Sequence, residues 1–336
     1  MKKAGKLILT AGPSITEKEI SYVNDAVSNG WNEKWNEYII KFQEEFSRYI
    51  GVKHALATSS CTGAMHLGLK SFGIKENDEV IVPEITWIAT ASAVTYVNAK
   101  PVFVDIEEDT WCINPESIRK AITSKTKAIM PVHLYGHPAN MDEIMEISEA
   151  NNLIIIEDAA PSLGASYKDK KTGSFGDCSA FSFQGAKTAT TGEGGILLTN
   201  NSEKFQEIEK LSDHGRSFDK KLWNDEIGFK YKMSNIQAAL GLAQLERIDE
   251  LVNKKRQIFS WYKKILGEIN GIRMNIEKSG SRNTYWMSTM IIEENVGISR
   301  EDIIQKLKEW NIDSRPTFYP LSHMPMFDTQ HNKNAE

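Results

Sequence analysis

Residues 178–200 read CSAFSFQGAKTATTGEGGILLTN. Two short apolar runs, CSAFSF and GGILLTN, read as strands on either side of a turn rich in threonine and glycine. One lysine, Lys187, stands between the first run and that turn. Its neighbours are small: Gly185 and Ala186 before it, and the run from Thr188 to Thr191 after it. A lysine in a cramped, partly dry place loses solvation, so its pKa falls and it becomes a usable amine nucleophile. The plain alternative is a solvated loop lysine, and the rest of the chain has to decide between them.

Upstream, strands and helices alternate. The runs DEVIVPE (78–84), KPVFVDI (100–106), KAIMPVHL (127–134) and LIIIEDAA (153–160) are rich in valine and isoleucine. Between them, ATASAVTYVNA, PESIRKAIT and MDEIMEISEANN have helical spacing. HALATSS (54–60) is a further strand, leading through a turn into the helical CTGAMHLGLKSFG. Buried parallel strands with crossover helices produce this pattern. It predicts an α/β fold with a mostly parallel sheet over residues 50–200. Before the sheet, SITEKEISYVNDAVSNG (14–30) predicts a helix with a capping box at Ser14 and Glu17, one face made of Ile20, Val23 and Val27, and an end at Gly30. A second helix is expected near residues 37–50. After the sheet, residues 234–266 form one long helical stretch broken once. YWMSTMII (285–292) reads as a strand, SREDIIQKLKEW as a capped helix and IDSRPTFYP as an extended segment. The expected division is a large α/β domain with an N-terminal arm, 1–235, and a smaller α+β domain, 236–336.

Composition narrows the class. The chain has 336 residues, 40% hydrophobic and 25% charged, which is ordinary for a globular protein with a sizeable core. The net charge of −5 comes with no basic stripe, which argues against a nucleic-acid partner. No run is long and apolar enough to span a membrane, and the opening MKKAGKLILTAGPS is too short in its apolar part for a secretory signal. Cys61, Cys112 and Cys178 lie far apart with no CxxC pair. They suit a reducing cytoplasm and argue against a disulfide framework or zinc site.

Ligands of open α/β sheets sit beyond the carboxyl ends of the strands. Three features are expected there: Asp158 at the end of LIIIED, the turn Ser59–Ser60–Cys61–Thr62 after HALAT, and Lys187. A buried acid needs a partner, although Asp158 could equally cap the next helix. The serine–threonine turn could hold a phosphate on a helix N-terminus, but many helices begin this way, and no GK[ST] follows to make a Walker motif. Together the three would serve pyridoxal phosphate (PLP). The lysine forms the Schiff base, the turn holds the phosphate, and the acid keeps the pyridine nitrogen protonated, which makes the ring an electron sink.

The segments EDAAPSLGASY, GSFGDCSAFSFQGAK, TTGEGGILLTN, PVHLYGHPANMDEI and YKMSNIQAALGLAQLERI resemble the sugar aminotransferases of the DegT/DnrJ/EryC1/StrS family, over almost the whole chain. WIATASAVTYVNAKPVFVDIEEDTW is similar to the perosamine-synthase-like branch. The resemblance implies the aspartate-aminotransferase-like fold (PLP fold type I) and PLP as cofactor. It implies Lys187 as the Schiff-base lysine and proton shuttle, Asp158 as the pyridinium partner and Trp87 as the aromatic stacked on the ring. Ser60, Cys61, Thr62 and Ser182 would hold the phosphate. Asn235 would reach it from the neighbouring subunit of a homodimer with a shared active site. L-Glutamate is the implied amino donor and a nucleotide-linked 4-keto-6-deoxysugar the implied acceptor, in making a surface polysaccharide. Some branches replace the lysine with histidine and dehydrate their substrate; the lysine kept here favours amino transfer.

The chain departs from this pattern in places. Pro161 stands where many relatives have a side chain that hydrogen-bonds the cofactor's phenolic oxygen, which proline cannot do. Cys61 replaces a glycine or alanine at little cost, since its backbone N–H remains. GWNEKWNEY, with Trp31, replaces a glycine-rich turn that helps shape the pocket. Relatives usually continue beyond PMFDTQHNKNAE, so the small domain is expected to be incomplete. Arg315, Tyr319 and His323 lie in a segment that borders the substrate in relatives, where a structural role is as good a reading as a binding one. His133 and His137 have the i, i+4 spacing of zinc ligands. They lack an adjacent glutamate and have a glycine between them, so a metal is not expected. His214 receives no role. The alternatives are a smaller phosphorylated ketone as acceptor, such as a triose phosphate, a PLP-dependent dehydratase or decarboxylase, and a non-catalytic member that binds PLP without turnover.

Overall fold

The structure, a computed structural model, describes residues 3–327. The residues beyond Phe327, including most of the PMFDTQHNKNAE end, lie outside the described residues. The strands are β1 (His54–Thr58), β2 (Glu79–Pro83), β3 (Lys100–Val104), β4 (Thr126–Ile129), β5 (Ile154–Asp158), β6 (Ser166–Tyr167), β7 (Lys170–Lys171), β8 (Cys178–Ser182), β9 (Gly195–Thr199), β10 (Ile272–Met274), β11 (Ser281–Arg282) and β12 (Met290–Ile292). The helices are α1 (Glu17–Asn29), α2 (Glu37–Ile50), α3 (Cys61–Ser71), α4 (Ala89–Tyr96), α5 (Pro115–Ala121), α6 (Met141–Asn151), α7 (Ser202–Ser212), α8 (Asn235–Leu245), α9 (Ile248–Leu266) and α10 (Arg300–Glu309).

The seven apolar runs read from the sequence form one seven-stranded sheet, in the order β1-β9-β8-β5-β4-β2-β3. Six strands run in one direction. Only β9 is reversed, pairing antiparallel with both β1 and β8. Side chains alternate between faces. Val80 and Val82 enter one core with α3 and α4, while Ile81 enters another with α5 and α6. A third core lies between the β1-β9-β8 end of the sheet and α2 and α8. There Phe46 meets Phe181 and Phe183 edge-on, with centroids 5.2 and 5.6 Å apart.

Several expectations are corrected. The capping box of α1 is Thr16 with Glu19, whose carboxylate accepts from the Thr16 backbone N–H at 2.7 Å; Ser14 lies ahead of the helix. The face of Ile20 and Val27 is exposed, and Glu19 and Ala26 are buried instead. Beyond the division expected at residue 235, Ala238, Leu242, Leu245, Ile248 and Val252 join the third core. The strand expected over 285–292 is confined to β12. Tyr285, with φ 49°, adopts a left-handed turn that ribbon pairing cannot accommodate. The arm at residues 4–10 runs beside the segment after α10. Ile8 forms a parallel bridge to Ile312, and Thr10 Oγ1 donates to Asp313 Oδ2 at 2.8 Å.

Candidate active site

The carboxyl edge of the sheet gathers the chemistry. β1 ends at Thr58, and Ser60 caps α3, its Oγ accepting from the Gly63 N–H at 3.0 Å. The amides of the first residues, Cys61 and Thr62, have no partner within the helix and point toward any anion at its positive end. Gly195, the first residue of β9, pairs with Thr58 on one side and Ser182 on the other. A Cβ at this glycine would lie 2.4 Å from the Cys61 nitrogen. The missing side chain therefore lets β9 bring Ser182 and the α3 N-terminus to one place.

Asp158 ends β5 and is buried. Thr90, fully buried on α4, donates its hydroxyl proton to Asp158 Oδ2 at 2.7 Å, and the Ala160 N–H donates to Oδ1 at 3.1 Å. These bonds meet the need of a buried acid for partners. They also answer the alternative role, because the carboxylate bonds within the site and caps no helix. Pro161 is buried in the turn that follows. Trp87 precedes α4 and is 62% exposed; Phe318 approaches it at 6.0 Å between ring centroids.

Lys187 is half-buried in the turn after β8, its N–H donating to the Gln184 carbonyl at 2.8 Å. Its Nζ lies 3.9 Å from the centroid of the Trp286 ring. Burial holds this amine below the ordinary lysine range, although Asp158 and Cys61 draw it back up. The ring face returns on the order of 2 kcal/mol to an ammonium, whereas burial can move an amine by several pKa units, so desolvation wins. Burial also pushes the Cys61 thiol well up, with Asp158 adding to the rise and Lys187 opposing it. The opening question is thereby answered: Lys187 is not an ordinary solvated lysine.

Sequence reasoning missed four residues here: Thr90, Tyr135, Trp286 and Phe318. Tyr135 stacks on Phe318 (5.6 Å, 4°) and on Trp286 (6.3 Å, 24°), joining β4's end to the C-terminal part of the chain. Burial pushes its phenol up to about 12. Phe318 was recoverable. In an extended segment neighbours face opposite ways, so a segment that sends Tyr319 outward sends Phe318 inward. Trp286 gave no local signal, because it meets Lys187 only through the fold.

Other expected residues are placed apart. Asn235 opens α8, and its amide is engaged within its own chain: Oδ1 accepts from the Tyr38 N–H at 3.0 Å, and Nδ2 donates to the Gly30 and Lys34 carbonyls at 3.4 and 3.5 Å. It braces the loop between α1 and α2. Trp31, in that loop, is exposed and donates its Nε1–H to the Val27 carbonyl at 2.6 Å. Arg315 is exposed beside Asp313, Tyr319 accepts from Arg300 at 3.3 Å on the surface, and His323 sits in the short turn Leu321–His323. His214 is exposed. His133 and His137 serve the backbone: His133 accepts from the Ala139 N–H and meets Glu157 at 2.9 Å, and His137 lies between the Pro138 carbonyl and the Lys278 N–H.

The donor set suits PLP. Hydroxyls and free amides at a helix N-terminus fit a phosphate, a hydrogen-bonded carboxylate fits a pyridinium, an exposed indole offers a face for a flat ring, and a desolvated amine suits an aldehyde.

Known proteins share this arrangement. The model of the DegT/DnrJ/EryC1/StrS aminotransferase family matches residues 13–336. The GDP-perosamine synthase of Escherichia coli O157:H7 is 41% identical over 329 residues, 98% of this chain and 89% of that protein. The UDP-4-amino-4-deoxy-L-arabinose–oxoglutarate aminotransferase of Shewanella sediminis is 35% identical over 312 residues, 89% of this chain and 80% of that protein. Among solved structures, a Streptococcus pneumoniae protein assigned as a sugar aminotransferase, in its PLP form, superposes with a TM-score of 0.85 at 30% identity, covering 95% of this chain and 86% of that one. The chain belongs to the DegT/DnrJ/EryC1/StrS aminotransferase family, and PLP is its cofactor.

Proposed function

We propose that the protein moves an amino group from L-glutamate to a nucleotide-linked 4-keto-6-deoxysugar, in the making of a surface polysaccharide. The observation that carries this reading is the convergence of Lys187, Asp158 and the α3 N-terminus at one edge of the sheet. The identity to GDP-perosamine synthases over nearly the whole chain supports the sugar acceptor. Glutamate as donor is supported by the relative named for oxoglutarate, the keto acid that glutamate leaves behind. When bound, PLP stores the amino group between the two halves of the exchange. Lys187 supplies the amine that bears the cofactor and moves the proton. Asp158, oriented by Thr90, would pair with the ring nitrogen. Ser60, Cys61, Thr62 and Ser182 would hold the phosphate, and Trp87 would cover the ring face.

The smaller phosphorylated ketone drew support only from the WNEKWN loop. There Trp31 is exposed and its Nε1–H is bonded to the Val27 carbonyl, at the end of α1.

The working unit is a homodimer. Large apolar side chains stand fully exposed, Leu222 at 95% and Ile227 at 94%, together with Phe218 and Trp223 on the same loop and Ile20 and Val27 on α1. Exposed apolar surface of this kind marks an interface. Among the described residues no helix is long and apolar enough to cross a membrane, and Cys61, Cys112 and Cys178 are free and buried, which supports a cytoplasmic site of action.

The test begins with the visible spectrum of the PLP-loaded protein. L-Glutamate should bleach the yellow band and raise a pyridoxamine-type band. A panel of GDP-, UDP- and dTDP-linked 4-keto-6-deoxysugars should then restore the yellow form, with the amino sugar seen by mass spectrometry. A yellow protein indifferent to glutamate, or bleached but restored by no keto sugar, would overturn the assignment.

A further inference from the structure

Trp286 has no part in the reading above, yet its ring lies against the reacting amine. It comes from the segment between β11 and β12, far in sequence from the turns that supply the other groups. Its indole is only 7% exposed, its ring centroid is 3.9 Å from Lys187 Nζ, and its Nε1–H donates to the Ala186 carbonyl at 2.8 Å. That carbonyl is one residue from the lysine, so a single side chain touches both the amine and the turn that carries it. Tyr135 stacks on the ring, and Trp111 meets Tyr135 edge-on at 5.9 Å, which fixes the indole in place.

An aminotransferase releases its lysine in every half-reaction. The freed amine hangs on a long side chain with many rotamers, and it must stay near the reacting atoms to move a proton. We propose that Trp286 is a positioning residue for Lys187: its indole face receives the free amine and screens it from water, while its N–H holds the turn. This inference rests on Lys187 being the lysine that bears the cofactor. The charged or titratable groups that act on the amine are Asp158, from the end of β5, and Cys61, from the start of α3. The Tyr135 phenol behind the indole stays neutral near neutral pH, with its pKa pushed up to about 12. Asp158 and the ring face favour the ammonium, and burial, the largest effect, favours the neutral amine. A proton acceptor must spend time neutral, and the indole supplies part of the burial that allows it.

The test uses the full-length enzyme loaded with pyridoxamine phosphate, in which the lysine is free. Competitive acetylation across a pH series, read by mass spectrometry at Lys187, gives the midpoint of amine reactivity. Trp286→Phe keeps the ring face and loses the N–H. Trp286→Gln keeps a donor and loses the face. The glutamine variant should raise the midpoint by about one pH unit, toward an ordinary lysine, and lower kcat roughly tenfold with little change in KM. The phenylalanine variant should leave the midpoint in place. Should the glutamine variant fail to fold by thermal melting, Trp286→Asn, which also puts a polar group where the ring face was, replaces it with the same expected direction. Midpoints that coincide in wild type and the face-lacking variant overturn the inference. Borohydride reduction of the PLP-loaded wild type separates the two levels. Pyridoxyl found at Lys187 with unmoved midpoints sinks only the role of Trp286, whereas pyridoxyl on another lysine removes both that role and the reading beneath it.

Discussion

At the scale of single residues, the site is specified by a few hydrogen bonds and one missing side chain. Lys187→Ala removes an amine at the edge of the sheet that the fold partly dries, and amino transfer should disappear. Near-normal turnover in that variant would refute the assignment. Thr90→Val keeps the shape of the buried side chain and deletes the proton given to Asp158. A hydrogen bond to a charged group is worth about 1.5–3 kcal/mol, so PLP affinity should weaken roughly tenfold or more by equilibrium dialysis, and Thr90→Ser should recover most of it. Gly195→Ala places a Cβ 2.4 Å from the Cys61 nitrogen, between backbones with no room to give. It should lower both Tm and PLP affinity, and an unchanged affinity would show that the α3 N-terminus does not hold the phosphate.

At the scale of elements, α1 is fastened to the body by a buried ion pair. Glu19 meets Arg247 Nη1 at 2.6 Å and Gln244 Nε2 at 2.7 Å. Burial alone would raise this carboxyl, but hydrogen bonds from Thr16, Arg247 and Gln244 outweigh it and hold the pKa at about 2, against 4.5 for a free group. The folded pKa is depressed, so the unfolded chain binds the proton more readily. The stabilisation is therefore fully present above about pH 4.5 and is lost as the pH falls toward 2. It is worth on the order of 3 kcal/mol. Glu19→Gln should flatten the acid limb of a denaturant-stability curve over that window, and an identical limb in both proteins would contradict the pairing. The same helix has an apolar outer face whose partner the sequence does not give. An interface and a core both demand apolar residues at helical spacing, so Ile20 and Val27 could not be assigned to one or the other from the sequence.

At the scale of the whole molecule, the apolar loop of Phe218, Leu222, Trp223 and Ile227 argues for a partner subunit. The double substitution Leu222→Asp with Ile227→Asp should yield monomers by light scattering and sharply lower activity. Dimers that persist would place the interface elsewhere. The sheet was legible in the sequence because its strands are short, mostly buried and, in β2, β3, β5 and β9, rich in valine, isoleucine or leucine, and the groups at the strand ends could be placed because topology fixes which edge binds ligands. Trp286 and Tyr135 were not, because their partners lie far along the chain and no local pattern marks such a meeting. The packing of the residues after 235 onto the third core was not legible for a related reason. A helix start at Ser234 is a local signal, but the core that the helix joins is a global fact.

The arm that lies beside Ile312 and Asp313 carries a consequence in time. Thr10 and Asp313 are 303 residues apart. On a ribosome working at roughly 5–20 residues per second, the arm emerges some tens of seconds before the segment it will lie against. Throughout that wait Leu7, Ile8 and Leu9 have no seat of their own, and they remain half or more exposed even in the finished fold. Residues 7–9 are thus secured late, and a nascent copy should be open to chaperone capture or proteolysis there until residues 311–313 have emerged.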